Sequence, residues 1–438
     1  MKSFESVWEM LFIPMVSKFY NNKYLVAVRR SFFMIMPFLL TVVIMDVLES
    51  LIIDPWGLIM GNPGLNLGSW LTGGLTGDAY RQHTLIQTLQ ACRHIIGFGY
   101  GVVSILLTLS LSGYLSDLWN SDRNMTRFCA IAALLSLLPL TNDPNSALTD
   151  YFSERRFFSS IFVSFSASWI FAKLSQVKKL RLPVPYGLSS EFAKYLVFLP
   201  SVTINFLIFS LLNLGFTYVE TLNTDTFAGL STLPLFQSPF FAFLYQFVIW
   251  VLWWFGLPGH AFMSVIQKYV YIPAQMSNQL EDTAYVFTSG FFEAGILHVM
   301  GLIIALLVFS EHETWRSTAK FGGICMLFNV QEFMVFGLPI MLNPVFLIPY
   351  IFAPIANTLV GWLAISGGIV PVFNNTVPWT MPMILSGSIG TGSYMGGILQ
   401  VVWLVMDIFI YAPFVITANM IEVPKDEKGE KQNEDLHG

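Results

Sequence analysis

Apolar residues in this chain come in long runs, not in alternating pairs. Eight segments reach or approach the roughly 20 apolar residues that a helix needs to cross a bilayer. They are Ser31–Ile53, Ile95–Leu115, Phe157–Ala172, Tyr195–Phe216, Phe240–Phe255, Gly295–Phe309, Val345–Ile365 and Met395–Ala418. Two more, the short Phe128–Leu140 and the interrupted Phe321–Pro344, bring the expected total to about ten. No series of ten-residue alternating strands is present, so a transmembrane barrel is not expected. The pattern predicts an all-α polytopic membrane protein.

Two stretches break the runs without becoming hydrophilic. Residues 256–294 and 366–394 are rich in Gly and Pro yet too apolar for plain loops. Irregular backbone at membrane depth survives only where protein buries it or where it lines a wet cavity. Interrupted segments of this kind point to a binding site. The expectation is two re-entrant hairpins facing one cavity.

Composition agrees with the pattern. Hydrophobic residues make up 55% of the 438, charged residues only 11%, and the mean hydropathy is +0.63. A soluble domain carries roughly 25% charged residues. Forty Phe, twelve Trp and sixteen Tyr suit a lipid-facing surface with aromatic belts at its edges. The net charge of −5 gives no reason to expect nucleic-acid binding. Cys92, Cys129 and Cys325 have no CxxC spacing and are expected to fill helix interfaces.

Charge placement predicts orientation. Lys18, Lys23, Arg29 and Arg30 precede the first span, and Lys173, Lys178, Lys179 and Arg181 follow Phe157–Ala172. Both clusters are read as cytoplasmic. With an even number of spans, the N- and C-termini share that side. Phe4, Trp8, Leu11, Phe12, Met15 and Phe19 fall on one helical face, so residues 1–25 read as an amphipathic interfacial helix. An ordinary solvated cap helix is the alternative. The polar tail 421–438 reads as a solvated cytoplasmic extension or linker. Between spans, residues 54–93 include GNPGLNLGSWLTGGLTG, a periplasmic or re-entrant connection without a phosphate-loop signature.

Few polar residues stand inside the apolar runs. In FNVQEFMVFGLPIMLNP, Asn329, Gln331 and Glu332 cluster with no Lys or Arg beside them. A carboxylate at bilayer depth costs roughly 2.5–3.5 kcal/mol on insertion scales, so it faces a cavity and has a partner. Gly337 and Pro339 follow, and the helix is expected to break just beyond the cluster. A hydrated Glu at the membrane surface is the competing reading. His260 follows a Gly-Pro break in WWFGLPGH and could serve binding or packing; His298 is read as a packing residue. Trp379, with Asn374, Asn375 and Thr380 in the second irregular stretch, has the chemistry of a carbohydrate site. There the indole would stack on a sugar ring while amides and hydroxyls bond its hydroxyl groups. A belt Trp at the membrane interface is the alternative. Asp46 and Glu49, near the end of the first span, receive no role. No HExxH, GxSxG or CxxC is present, so neither a catalytic residue, a cofactor nor a metal is expected.

Three blocks carry a family resemblance. LFIPMVSKFYNNKYLVAVRRSFFMIMPF is similar to the N-terminal block of the membrane component, enzyme IIC, of bacterial phosphotransferase sugar systems, in the lactose/cellobiose/diacetylchitobiose branch. SEHETWRSTAKFGGICMLFNVQEFMVFGLPIMLNP resembles its central block, usually FNINEPxxFGxPxxLNP, and VPWTMPMILSGSIGTG its C-terminal hairpin motif. The resemblance runs from about residue 4 to 420. It implies an elevator-type homodimer of ten-helix protomers, with a dimerisation half at 26–220 and a transport half with re-entrant hairpins at 221–420. It further implies a bound mono- or disaccharide, cytoplasmic IIA/IIB partners that phosphorylate it, and a site in the bacterial cytoplasmic (inner) membrane. By the same resemblance Glu332 matches the sugar-binding Glu, Gln331 replaces the neighbouring Asn, and Trp379 matches the hairpin Trp. Pro258 stands where the family has the His of GIHG, with His260 two residues later. Phe333 replaces the Pro of NEP, and His298-Val-Met-Gly stands in the glycine-rich block.

The expected function is a sugar permease subunit binding its ligand through Glu332, Gln331, Asn329, His260, Trp379 and Thr380. The alternative is a permease-derived sugar sensor regulating a fused cytoplasmic output domain, a reading suggested by GLPG and by the polar tail. An ion-coupled transporter using Glu332 is a third reading.

Overall fold

The computed structural model describes residues 22–54, 57, 59–61, 65–137, 156–183, 189–223, 233–256, 259–280, 283–338, 340 and 343–419. The expected interfacial helix up to residue 21, Pro258 and the tail 421–438 lie outside the described residues. So do the side chains of Glu332 and Asp46.

Among the described residues every regular element is helical. The long helices of the first half are α1 (Lys23–Leu48), α2 (Thr84–Trp119), α3 (Arg123–Ser136), α4 (Arg156–Gln176) and α5 (Leu199–Asn223). In the second half come α6 (Pro239–Trp254), α7 (Ile272–Leu280), α8 (Ser289–Ala294), α9 (His298–Phe309) and α10 (Glu313–Met326). They are followed by α11 (Glu332–Gly337), α12 (Pro344–Ser366), α13 (Leu385–Thr391) and α14 (Tyr394–Ala418). Among the described residues six helical stretches are long and apolar enough to cross a membrane: Lys23–Met45, Gly101–Trp119, Leu199–Tyr218, Ser289–Phe309, Val345–Ser366 and Tyr394–Ala418. The shorter α6 is also apolar.

Most of the eight apolar runs fall within helices, but Tyr195–Phe216 is split by a turn at 197–198 between a short helix, Ser190–Leu196, and α5, and two helices begin earlier than hydropathy suggests. α1 starts at Lys23, not Ser31, and α2 at Thr84, not Ile95. Hydropathy registers contact with lipid, whereas the helix continues wherever its backbone bonds continue. At about 1.5 Å per residue the 36 residues of α2 span about 54 Å, well beyond a hydrocarbon core of about 30 Å.

The first half packs through small residues. α2 lies against α4, α1 and α3. Ser104, Thr108, Ser112 and Ser116 recur every four residues along α2, and Ser160, Ser164 and Ser168 along α4; all are buried. Small side chains let helix backbones approach closely where lipid supplies no hydrophobic drive. Several of these hydroxyls bond back to the preceding turn, as Thr108 Oγ1 does to the Ser104 carbonyl (2.9 Å). Other faces of these helices carry lipid-type surface: Val102 on α2 and Phe162 and Trp169 on α4 are exposed.

In the second half α9 packs on α14, and α12 on α6 and α14. A Cβ on Gly301 would lie 2.4 Å from Asp407 Cβ, and one on Gly361 2.5 Å from the Trp403 ring. Those glycines bring α9 and α12 against α14. The first irregular stretch (256–294) resolves into short helical pieces: Gly259–Phe262, Ser264–Ile266, a π-helical turn Gln267–Tyr271, α7 and α8. The second (366–394) is non-helical from residue 367 to 384 and then forms α13.

Candidate functional site

The break between α10 and α11 forms one wall of the site. Asn329 adopts a left-handed backbone (φ 62°), which asparagine tolerates better than most non-glycine residues. Its N–H donates to the Met326 carbonyl (3.0 Å) and the Val330 N–H to the Cys325 carbonyl (3.2 Å), closing the end of α10. Asn329 Nδ2 then donates to two carbonyls of a distant segment, Trp379 at 2.7 Å and Met381 at 3.1 Å. The chain restarts as a helix at once. The Gln331 carbonyl accepts the N–H groups of Met334 (2.9 Å) and Val335 (3.0 Å), and Glu332 is the first residue of α11. The sequence places the break after the polar cluster, at Gly337 and Pro339. The structure also breaks the helix within the cluster: α10 ends at Met326, and the left-handed Asn329 turns the chain before α11 starts at Glu332.

The second wall is the segment carrying Trp379. Its backbone has few partners of its own, and amide side chains supply them. The Asn374 and Asn375 N–H groups both donate to the Gly390 carbonyl (3.0 Å each), and Asn375 Nδ2 donates to the Ile389 carbonyl (2.8 Å). From α7, Gln275 Nε2 donates to the Asn375 carbonyl (2.7 Å) and Asn278 Nδ2 to the Phe373 carbonyl (3.2 Å). From α14, Gln400 Oε1 accepts the N–H groups of Ile384 and Gly387, each at 2.8 Å. Ile384 itself has φ 71°, a costly conformation for a β-branched residue that these bonds hold in place. Side-chain amides thus satisfy irregular backbone buried in the protein, which is the condition for tolerating it at membrane depth.

The third wall is α8. Gln275 Oε1 accepts the Gly290 N–H (2.6 Å) and the Ser289 hydroxyl, while Gln400 Nε2 donates to the Ala294 carbonyl (3.0 Å). The same two amides therefore tie α8 to the Trp379 segment. Glu293 stands between those ties, and its Oε1 accepts a hydrogen bond from Gln267 Nε2 (2.8 Å).

The three walls meet at a cleft lined by Asn329, Trp379, Asn375, Phe373, Ser386 and Glu293, among others. It holds about 270 Å³ of empty space including its mouth, and among the described residues no Lys or Arg lines it. Thr380 follows Trp379 directly and Gln331 stands two residues from Asn329; both are buried, and Gln331 Oε1 and Thr380 Oγ1 have no hydrogen-bond partner among the described residues. The structure thus brings Asn329 and Trp379 to one cleft, with Thr380 and Gln331 close to them in the chain.

His260 is not among the lining residues. Its Nδ1 accepts the Trp253 indole N–H (3.0 Å), and its ring lies edge-on to Trp250 at 5.4 Å. Trp250 continues the aromatic cluster to His298 (4.1 Å between ring centroids), whose Nδ1 pairs with the Tyr411 hydroxyl (2.9 Å). His298 is fully buried in this packing. Gly259 seats the neighbouring turn: a Cβ there would lie 2.1 Å from the Ile249 carbonyl oxygen.

The sequence reading passed over Glu293, Gln275, Asn278 and Gln400. It also passed over Asp407, fully buried on α14 and bonded to Asn357 Nδ2 (2.9 Å). Single amides and acids inside apolar runs form no motif. The only signal was their rarity at that depth.

Comparison with known proteins places this architecture. Residues 85–354, more than half of the chain, match the family described as "Phosphotransferase system, EIIC". The chain is similar to the oligo-beta-mannoside-specific EIIC component of Bacillus subtilis, with 26% identity over 97% of this chain and 96% of that protein. It is similar to the cellobiose-specific EIIC component of Lactococcus lactis, with 24% identity over 61% of each. Among solved structures it aligns with the N,N'-diacetylchitobiose-specific IIC transporter ChbC, with 20% identity and a TM-score of 0.49 over 94% of this chain and 97% of that one. The chain therefore belongs to the EIIC family, the integral membrane, sugar-specific permease components of phosphotransferase systems.

Proposed function

We propose that the cleft between Asn329 and Trp379 is the sugar site of this permease. The observation that carries this reading is the pair of Asn329 hydrogen bonds to the Trp379 and Met381 carbonyls. They join the polar break at 329–332 to the segment bearing the indole. Trp379 would offer a ring face for stacking. Glu332, Gln331, Asn329 and Thr380 would bond sugar hydroxyls. The apolar wall with a few polar groups suits a neutral ligand. His260 would act at a distance, by holding the turn after α6.

The ligand in this reading is a mono- or disaccharide. The names of the relatives make a β-linked disaccharide the first choice. Even with its mouth included, the cleft falls below the roughly 300–1,000 Å³ of pockets that engulf a ligand. Sugar entry would therefore displace the segment 374–384 or α8. We read 256–294 and 366–394 as the re-entrant hairpins of a transport half at 221–420. The half at 26–220 would form the homodimer, and both termini would lie in the cytoplasm of a bacterium's inner membrane. IIA/IIB subunits would supply the phosphoryl group there. The relatives named above are EIIC components of phosphotransferase systems, and none favours the sensing alternative.

The test is calorimetric titration of cellobiose, mannobiose and lactose into the purified chain, its Glu332→Gln variant and its Trp379→Ala variant. The expected result is binding of at least one sugar by the parent chain, weakened about tenfold or more in either variant. Equal affinity in all three proteins would remove the site from this cleft.

A further inference from the structure

Glu293 is a cleft-lining residue whose role none of the family motifs assigns. Its position is built, not incidental. Phe291 and Phe292, on the same short helix, are buried. Gln275 fixes Gly290 on one side of it and Gln400 fixes the Ala294 carbonyl on the other. Gln267 Nε2 holds one carboxylate oxygen at 2.8 Å. The carboxylate shares its cleft with Asn329, Asn375, Ser386 and Trp379.

We infer that Glu293 is a specificity-determining residue of this cleft, selecting neutral or amino sugars and rejecting sugars that carry a carboxylate or phosphate. The inference rests on the cleft being the sugar site. A carboxylate accepts hydrogen bonds from sugar hydroxyls and attracts an ammonium group, but repels a second anion. For an anionic substituent roughly 5 Å away at an effective dielectric near 20, the repulsion amounts to a factor on the order of 10² in affinity.

The experiment measures a ratio of affinities, which a merely structural role would not change. Cellobiose, its uronate derivative and its phosphate ester are titrated into the full chain and into Glu293→Gln, with Glu293→Met as a second uncharged variant of similar size. The parent chain is expected to prefer cellobiose over both anions by about a hundredfold. The uncharged variants should narrow that preference at least tenfold while retaining some cellobiose affinity. A preference equally large in the variants overturns the inference and leaves the sugar site in place. Loss of the fold in both variants would assign the carboxylate to packing through Gln267 and likewise overturn it. If cellobiose, mannobiose and lactose all fail to bind the parent chain, the site reading falls first and the inference falls with it.

Discussion

Replacing Asn329 separates the two jobs this residue performs. It occupies a left-handed position, and its amide clamps two carbonyls of the Trp379 segment. Asn329→Gly keeps the first job and removes the second, since glycine adopts positive φ freely. Each carbonyl deprived of its donor costs about 1–3 kcal/mol if it stays buried, and about 1 kcal/mol if water reaches it. Two carbonyls give a local loss of about 2–6 kcal/mol. The lower bound corresponds to roughly thirtyfold easier opening of residues 374–384. The whole molecule need not melt earlier, because local and global opening are separate events. Asn329→Ala should be worse, adding roughly 1–2 kcal/mol for an alanine held at positive φ. Hydrogen–deuterium exchange in detergent reads the effect directly. Amides of 374–384 should exchange at least about thirtyfold faster in Asn329→Gly, with those of α2 unchanged. Unchanged exchange in 374–384 would refute the clamp, and with it the link between the polar break and the indole.

Gln400→Leu removes the acceptor of the Ile384 and Gly387 N–H groups and the donor to the Ala294 carbonyl. It should cost at least about 3 kcal/mol locally, seen as a lowered melting temperature and faster exchange in α13. Gly259→Ala forces a methyl group to within 2.1 Å of the Ile249 carbonyl and should destabilise the turn after α6 by about 1–3 kcal/mol. Gly215→Ala, in α5 with nothing within 4 Å of the new methyl, should leave the melting temperature unchanged or raise it slightly. Tyr411→Phe deprives buried His298 Nδ1 of its partner and should cost about 1–2 kcal/mol by thermal unfolding, without altering the ratio of sugar affinities.

Much of the architecture was legible because lipid imposes a length. Runs such as Val345–Ile365 and Met395–Ala418 needed no tertiary information, and α12 and α14 reproduce them to within a residue. The ends were less legible where a helix continues beyond its apolar run, as residues 84–94 do for α2. The FNVQE cluster was visible as an anomaly, a group of polar side chains where lipid or protein surrounds the backbone. What it does was not visible. Asn329 reaches Trp379 across 50 residues of sequence, and only the fold brings those carbonyls within reach. The same holds for Gln275 and Gln400, whose partners lie as far as 106 residues away. An isolated Gln in an apolar run announces that something must satisfy it, but not what. Glu293 went unremarked in FTSGFFEAG for a related reason. One acid beside a helix start looks hydrated until the walls of the cleft are in place.

The central claim is that residues 329–332 and 374–384 together hold the sugar. Exchange measured with and without a saturating neutral disaccharide tests it most directly. The account predicts slower exchange in both segments on sugar addition, with little change in α2 and α4. Protection confined to other parts of the chain would contradict it.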